Sequence, residues 1–203
     1  MLKNEIIRKT IHISSITIPL TYRYVLNYNK FPLIITLGII TLFAIAIEYF
    51  RFERRNIGLL FSEIFGFLIR EHENKDLTGA TYLLTSSVFC IAVFPADIAF
   101  CALCFLAIGD TAAALVGGKF GKRKIYKTAK SLEGSIACFV VCFVFAILFL
   151  DSLDVTFYSR VLIAFFGAFA ATIAESYRIY LDDNVKIPLF SSTVMSITYL
   201  FSF

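Results

Sequence analysis

The stretch IAFCALCFLAIGDTAAALVG, residues 98–117, decides the fold of this chain. Its 20 residues carry one charged side chain, Asp110. A helix needs about 20 apolar residues to cross the hydrocarbon core of a bilayer. The rest of the chain has the same character, since 59% of its 203 residues are hydrophobic and only 17% are charged. A soluble domain presents more charge to water than this. The composition therefore predicts an all-α polytopic membrane protein.

Six further apolar segments flank this one and give about seven predicted transmembrane helices. Backbone amides in hydrocarbon must be hydrogen-bonded within their own helix, so apolar length locates the spans. The predicted spans are 11–26, 33–50, 77–94, 98–117, 135–150, 157–177 and 187–203. They leave only short connections, so residues 1–203 are expected to form a single membrane domain. Arg23, at the far end of the first span, is expected to extend its guanidinium to the interface.

The distribution of basic residues predicts how these spans are oriented. Of the 19 Lys and Arg residues, 16 lie in the N-terminal segment or in loops on the same side of the membrane. Only Arg23, Lys30 and Arg160 lie on the other side. Because basic loops stay in the cytoplasm, the N-terminus is predicted to be inside and the C-terminus outside.

Residues 57–68, between the second and third spans, have the pattern of an amphipathic helix. Ile57, Leu60 and Ile64 recur at helical spacing, whereas Glu63 falls on the opposite side. We expect this helix to lie in the cytoplasmic interface of the membrane. An ordinary helix packed on the bundle has the same pattern.

The remaining composition argues against several other classes of protein. The net charge is only +4 and the basic residues lie between apolar runs, so nucleic acid is not an expected partner. The five cysteines lie in apolar stretches and are predicted to be reduced core residues. Cys101 and Cys104 form a C-x-x-C pair, but there is no second pair and the chain has only two histidines. A zinc site is therefore not favoured.

Two acidic residues are unusual because they lie within predicted spans. Asp110 lies in the fourth span and Glu175 near the end of the sixth. A carboxylate at the centre of a membrane helix costs about 2.5 to 3.5 kcal/mol, so each needs a structural or functional reason. At 1.5 Å per residue, Asp110 lies roughly 10 Å from the cytoplasmic end of its helix. An ion pair with a loop cation is the structural alternative, but other unusual residues at the same level favour a functional site.

The loop after the fourth span combines positive charge with glycine. Six Lys or Arg residues occur within 119–130, and four glycines lie close by: Gly117, Gly118, Gly121 and Gly134. Clustered cations bind polyanions, and glycine lets a backbone approach a ligand closely. The spacing is not that of a P-loop. Contact with anionic lipids would explain the charge, but it would not explain the glycines or Glu133. The loop therefore predicts a phosphate site.

The sixth span ends in a second polar cluster on the same side of the membrane. Residues 175–184 contain three carboxylates and an amide: Glu175, Asp182, Asp183 and Asn184. Oxygen ligands of this kind suit a Mg²⁺ ion shared with a nucleotide, although a turn and helix cap would use the same residue types. Together with Asp110 and Glu133 they predict metal-assisted phosphoryl transfer.

Taken in order, these motifs resemble the family of dolichol kinases, phytol kinases and CTP-dependent diacylglycerol kinases, which is related to the CDP-diglyceride synthetases. The resemblance covers nearly the whole chain and rests on these segments: Arg8-Lys9 with His12, Glu48-Tyr-Phe-Arg51, 77–81, 110–121, 130–135 and 175–184 with Pro188. It implies a multi-pass enzyme that uses a divalent metal such as Mg²⁺. Such an enzyme transfers the γ-phosphate of a nucleotide, commonly CTP, to the hydroxyl of a lipid alcohol.

The same resemblance implies roles for individual residues. The expected catalytic residues are Asp110, Glu133, Glu175 and Asp183. Of these, Asp110, Glu175 and Asp183 would hold Mg²⁺ or help to orient and deprotonate the alcohol. The expected nucleotide-binding residues are Lys119, Gly121, Lys122, Lys130, Ser131, Gly134 and Asn184. Arg8 and His12 are expected to line the mouth of the site.

Two other functions stay open at this stage. A cytidylyltransferase that joins CTP to a lipid phosphate needs much the same site, although the short chain and the motif at 130–134 favour a kinase. An ion-coupled transporter would use Asp110 and Glu175 as an ion pathway, but the sequence has no paired internal repeats. A polyprenol, a phytol-like alcohol and diacylglycerol are all open as acceptors, and both CTP and ATP are open as donors.

Overall fold

The computed structural model describes residues 10, 12–66, 73, 76–125, 128, 130–151, 153–177 and 181–202. These residues form helices joined by turns, with one isolated bridge between Lys124 and Ser131. We number the helices α1 (Thr17–Leu20, continued by a wider π-helical turn, Thr21–Val25), α2 (Lys30–Glu53), α3 (Arg55–Phe65), α4 (Gly79–Val93), α5 (Ala96–Phe120), α6 (Leu132–Phe149), α7 (Phe157–Ser176) and α8 (Asp183–Leu200). The predicted all-α fold is confirmed.

Helix α5, which contains the stretch 98–117, lies at the centre of the bundle. Of its most apolar 18 residues, 67% are buried, against 22% in α2, 28% in α6 and 44% in α7. Residues 98–106 are all buried, and α1, α4, α6 and α8 pack around this helix. The turn Phe105–Gly109 is wound more widely, as a π-helix, immediately before Asp110.

Among the described residues, four helices are long and apolar enough to cross a membrane: α2, α5, α6 and α7. Helix α4 is apolar but shorter. Large apolar side chains such as Ile39, Leu42 and Leu148 are mostly exposed, which suits contact with lipid chains. The chain is a polytopic membrane protein, and seven spans remain its predicted topology. Helices α2 and α4 to α7 begin and end within three residues of predicted spans.

The first predicted span, 11–26, is not a continuous α-helix. Ser15 Oγ donates to the carbonyl of His12 at 2.6 Å, and Thr17 Oγ1 donates to that of Ser14 at 2.8 Å. Hydroxyl groups that bond to nearby carbonyls compete with the helical ladder. The chain accordingly turns at residues 15 and 16 before it continues as α1.

Helix α8 begins at Asp183, one turn before the predicted start of the last span. Asp182 caps it, because Asp182 Oδ1 accepts a hydrogen bond from the backbone amide of Asn184 at 2.8 Å. Pro188 lies inside the helix and has no amide hydrogen to donate to the carbonyl of Asn184. Ser86 Oγ of α4 donates to that carbonyl instead, at 2.7 Å. The first turn of α8 is thereby fixed against α4.

Helix α3 is the predicted amphipathic helix. None of its residues is buried, and Leu59, Leu60 and Ile64 are each at least half exposed. The helix packs on the end of α2, where the guanidinium of Arg51 lies 4.9 Å from the centre of the Phe61 ring. An exposed apolar face is what an interfacial helix would bury in lipid, so its location in the cytoplasmic interface stays our prediction.

Arg23 lies in a shielded network. The sequence predicted that its guanidinium extends to the interface, whereas in the structure neighbouring side chains hold it. Its guanidinium is 2.7 Å from Asp151 Oδ1 and 3.5 Å from Asp97 Oδ1, and it donates to the carbonyl of Phe149 at 2.7 Å. The ring of Phe100 lies 5.0 Å away. Two carboxylates and aromatic rings stabilise the cation locally. This network lies at the end of the bundle where α5 begins and α6 ends.

Candidate active site

The ammonium group of Lys130 lies among three carboxylates at the opposite end of the bundle. Lys130 Nζ is 2.6 Å from Glu175 Oε1, 3.2 Å from Asp183 Oδ2 and 3.8 Å from Asp110 Oδ1. We call Asp110, Glu175 and Asp183 the acidic cluster. The sequence predicted that these residues share one site, and the structure brings them together.

The helices meet at this end because their directions alternate along the chain. Helix α5 passes Asp110 and continues to Phe120, while α6 starts just after Lys130. Helix α7 ends just after Glu175, and α8 begins at Asp183. Residues distant in sequence thus meet at the membrane face that the basic loops predict to be cytoplasmic.

The acidic cluster is closed on one side and open on the other. The side chain of Glu175 is 1% exposed, whereas those of Asp110 and Asp183 are 25% and 26% exposed. Burial alone would lower the pKa of Lys130, but the charges of Asp183, Glu175 and Asp110 outweigh it and hold its pKa above the ordinary value. Lys130 is therefore a cation at neutral pH and offsets much of the negative charge of the cluster.

A second lysine, Lys186, also contacts the cluster and was not among the predicted site residues. Its Nζ lies 2.8 Å from Asp183 Oδ1 and donates to the carbonyl of Tyr177 at 2.8 Å. Its side chain is only 4% exposed. The sequence contained the signal, because Asp183 and Lys186 are three residues apart and share one face of a helix.

Two serines support Glu175 and were not predicted to do so. Ser176 Oγ donates to Glu175 Oε2 at 3.1 Å, and Ser135 Oγ lies 2.6 Å from Ser176 Oγ. These hydroxyls link α6 to the end of α7. A buried carboxylate needs hydrogen-bond partners of this kind as well as a counter-charge.

His12 reaches the cluster from the first helical segment. His12 Nε2 is 3.4 Å from Asp110 Oδ2 and 3.1 Å from the carbonyl oxygen of Leu106. The sequence predicted His12 at the mouth of the site, and the structure places it beside Asp110. Arg8, the other residue predicted at the mouth of the site, lies outside the described residues.

Glu133, predicted among the catalytic residues, does not join the acidic cluster. Its two carboxylate oxygens accept hydrogen bonds from the backbone amide of Arg123 at 3.2 and 3.3 Å. Glu133 lies in the first turn of α6, where a carboxylate can bond to the preceding loop. In this structure it bonds to the start of the basic hairpin that runs from Arg123 to Leu132.

Three of the predicted glycines surround Ser131. An added Cβ would lie 2.8 Å from Ser131 Oγ at Gly117, 2.6 Å at Gly121 and 3.2 Å at Gly134. Two of their amides already have partners, since Gly121 N donates to the carbonyl of Gly117 and Gly134 N donates to Ser131 Oγ. These glycines therefore let α5 and α6 approach closely, and the two amides expected to bind phosphate are bonded within the protein.

The other predicted nucleotide-binding residues differ in accessibility. Lys119 and Lys122 are exposed to solvent at the end of α5. Asn184 is buried, and its Nδ2 donates to Asp182 Oδ1 at 2.7 Å. Its Oδ1 has no hydrogen-bond partner among the residues that the structure describes. An added Cβ at Gly79 would lie 3.0 Å from Asn184 Nδ2, so α4 and α8 approach closely there.

Glu48 and Arg51 form a second buried pair that supports this arrangement. Arg51 Nη2 lies 2.7 Å from Glu48 Oε2, and Glu48 Oε1 accepts hydrogen bonds from Thr78 N at 2.9 Å and Thr81 Oγ1 at 3.3 Å. The motifs at 48–51 and 77–81 are therefore in contact. They hold the end of α2 against the start of α4, which in turn packs on α8.

The donor chemistry of the cluster fits a magnesium ion that arrives with phosphate. Among the described residues, no group of three His, Cys, Asp or Glu side chains is arranged to hold a metal ion. The Lys130 ammonium lies between these carboxylates. Mg²⁺ in nucleotide sites usually takes one or two carboxylates and completes its shell with phosphate and water. Two acids of the cluster would be enough to hold a magnesium ion whose other ligands are phosphate and water.

Several relatives of this chain are named as kinases of lipid alcohols. CTP-dependent diacylglycerol kinase 1 of Schizosaccharomyces pombe is 30% identical over 204 residues, which cover 95% of this chain and 93% of the relative. The protein of the same name from Saccharomyces cerevisiae is 29% identical over 96% of this chain and 73% of its own length. Probable phytol kinase 2, chloroplastic, of Oryza sativa is 32% identical over 61% of this chain and 44% of its own length.

No family model and no solved structure matches this chain. The match to the Schizosaccharomyces pombe kinase nevertheless extends over nearly the full length of both proteins. It agrees with the family resemblance of the ordered motifs, several of which meet at the acidic cluster. The chain therefore belongs to the polyprenol kinase family that includes the CTP-dependent diacylglycerol kinases and the phytol kinases.

Proposed function

We propose that this membrane enzyme transfers the γ-phosphate of CTP to the hydroxyl group of a membrane lipid alcohol, with Mg²⁺ bound at the acidic cluster. The observation that carries this proposal is the convergence of Asp110, Glu175 and Asp183 on Lys130. The names of the relatives support CTP as the donor and an alcohol as the acceptor. Diacylglycerol is the first acceptor to test, because three relatives that match 95% or more of this chain are named diacylglycerol kinases.

The location of the cluster suits two substrates that come from different phases. A lipid alcohol keeps its chains in hydrocarbon and its hydroxyl near the headgroups, whereas a nucleotide arrives from the cytosol. The acidic cluster lies at one end of the apolar helices, and the basic hairpin is at the same end. We propose that this end faces the cytoplasm, with the N-terminus inside and the C-terminus outside.

We assign a separate task to each member of the cluster. Asp110, which is partly exposed, would orient the lipid hydroxyl and accept its proton. The hydroxyl oxygen then bonds to the γ-phosphorus, the bond from that phosphorus to the β–γ bridging oxygen breaks, and CDP leaves. Glu175 and Asp183 would hold Mg²⁺, which when bound offsets the charge of the triphosphate.

Lys130 and Lys186 would have different roles in this cycle. Lys186 is nearly buried and bonded to a backbone carbonyl, so it stays with Asp183. Lys130 is 34% exposed and extends from a loop, so its ammonium can move from the carboxylates to the phosphates when the nucleotide binds. The exposed Lys119 and Lys122 would bind the same triphosphate.

The position of the transferred label tests the function. Purified protein is incubated with diacylglycerol, phytol or a polyprenol and with CTP labelled at the γ- or the α-phosphate, alongside ATP, GTP and UTP. We expect γ-label in the lipid, CDP as the other product and no transfer by Asp110→Asn. Glu133→Gln, which changes a carboxylate outside the cluster, is the matched control and should retain transfer.

Two results would contradict the proposal. Incorporation of α-label into a lipid phosphate, with release of pyrophosphate, would show a cytidylyltransferase. If no acceptor is labelled with any nucleotide, while Asp110→Asn abolishes ion-coupled uptake in vesicles, the protein is a transporter.

A further inference from the structure

His12 contacts α5 at the wide turn that precedes Asp110. Its Nε2 lies 3.1 Å from the carbonyl oxygen of Leu106, which belongs to that turn, and 3.4 Å from Asp110 Oδ2. The side chain is 19% exposed, so the imidazole ring is largely shielded between the first helical segment and α5. Wide turns of this type are frequent at functional sites.

The Leu106 carbonyl determines which nitrogen of His12 carries hydrogen. A carbonyl oxygen can only accept a hydrogen bond, so Nε2 must be the donor in this contact. Oδ2 of Asp110 lies 3.4 Å from the same nitrogen, on the side of the ring that carries this hydrogen. In this geometry Nε2 cannot remove a proton from a substrate.

The two oxygens of Asp110 consequently face different partners. Oδ2 faces His12, whereas Oδ1 lies 3.8 Å from the Lys130 ammonium. A carboxylate that is restrained at one oxygen presents the other oxygen in a fixed direction. Orientation of this kind matters, because a misplacement of about 1 Å can slow an enzyme on the order of 100-fold.

We propose that His12 is a positioning residue for Asp110. The Nε2 side of its ring carries the hydrogen bonded to the Leu106 carbonyl and lies against Oδ2, which it restrains, so that Oδ1 is directed into the space beside Lys130 where the lipid hydroxyl would react. This inference rests on the proposed lipid kinase function. His12 acts through Asp110 and exchanges no proton with either substrate.

Three substitutions separate this role from the alternatives. His12→Gln keeps an N–H group at similar reach, His12→Asn keeps an N–H that is one methylene too short, and His12→Leu keeps none. Transfer from γ-labelled CTP to diacylglycerol gives kcat and KM for each purified variant. Thermal unfolding of the same samples checks that they are folded.

The proposal predicts a loss in kcat with little change in the KM for CTP. His12→Leu should lower kcat on the order of 100-fold, because Asp110 is no longer oriented. His12→Gln should restore most of the activity, and His12→Asn should remain as slow as His12→Leu. If His12→Leu does not fold, the difference between the Gln and Asn variants tests the same point.

Several outcomes would overturn the proposal. Equal loss in the Gln and Asn variants would mean that the ring itself transfers a proton, and full activity in His12→Leu would mean that the contact has no role. A change in KM alone would place His12 in nucleotide binding. An inactive wild type would overturn the proposed function itself, whereas an active wild type with equal variants overturns only this inference.

Discussion

Lys130 determines the charge state of the site at the scale of single residues. One ammonium contacts three carboxylates, and its raised pKa keeps it charged at neutral pH. Without that charge, the further partners of the three acids among the described residues would be Lys186, His12 and Ser176. Carboxylates that share one site without a counter-ion either take up protons or bind a cation.

We therefore predict that Lys130→Met binds a divalent cation without nucleotide. Mn²⁺ binding, followed by electron paramagnetic resonance, should be tighter in Lys130→Met than in the wild type, because the three carboxylates lose their ammonium. Lys122→Met removes an exposed lysine outside the cluster and should bind Mn²⁺ as the wild type does. Equal Mn²⁺ affinity in all three proteins would show that Lys130 does not occupy the place of a cation.

The sequence could predict some of these residues but not their partners. Asp110 and Glu175 are visible because a carboxylate in an apolar run is costly wherever the helix lies. Which group the Glu133 carboxylate contacts depends on the fold, since a carboxylate in the first turn of a helix can bond to a local amide or face a ligand. Lys130 lies in a loop, and only the meeting of α6, α7 and α8 makes it a counter-ion of the acids. Lys186 pairs with Asp183 within one helix, which the three-residue spacing could have predicted.

At the scale of helices, the crossing of α5 and α6 depends on close backbone contact. An added Cβ at Gly134 would lie 2.7 Å from the carbonyl oxygen of Ala113 and 3.2 Å from Gly117 Cα. Both neighbours are backbone atoms, which cannot rotate away. Glycine at these positions was visible in the sequence, but the sequence did not indicate whether a ligand or another helix approaches it.

Gly134→Ala should therefore push α5 and α6 apart and lower stability. We expect a loss of about 1 to 3 kcal/mol, as for other overpacked interiors, and a lower thermal unfolding midpoint in detergent. Gly118→Ala is the matched control, since an added Cβ there meets nothing within 4 Å. A variant Gly134→Ala as stable as Gly118→Ala would mean that the crossing is looser than the structure indicates.

The whole molecule has a different polar network at each end of its apolar helices. Lys130 and the acidic cluster lie at one end, and Arg23 with Asp97 and Asp151 at the other. The apolar core of α5 separates them. Hydropathy predicted the helical segments well because burial in lipid depends on apolar length alone. The break in the first segment depends on local hydroxyl bonds, and hydropathy does not report them.

Labelling of single cysteines tests the predicted orientation. The native cysteines are buried and should react slowly with a membrane-impermeant maleimide. Asn56, at the start of α3, and Asp154, between α6 and α7, are both exposed and are assigned to opposite sides of the membrane. We expect Asn56→Cys to react only from the cytoplasmic side and Asp154→Cys only from the outer side. Reaction of both from one side would contradict the seven-span topology.

The central claim is that the acidic cluster is where phosphate is transferred from nucleotide to lipid. Single-turnover transfer from γ-labelled CTP to the lipid alcohol tests it most directly, in the variants Asp110→Asn, Glu175→Gln, Asp183→Asn and Glu133→Gln. We predict a loss on the order of 100-fold or more in the three cluster variants and near wild-type transfer in Glu133→Gln. Rapid transfer by the folded cluster variants would contradict the account.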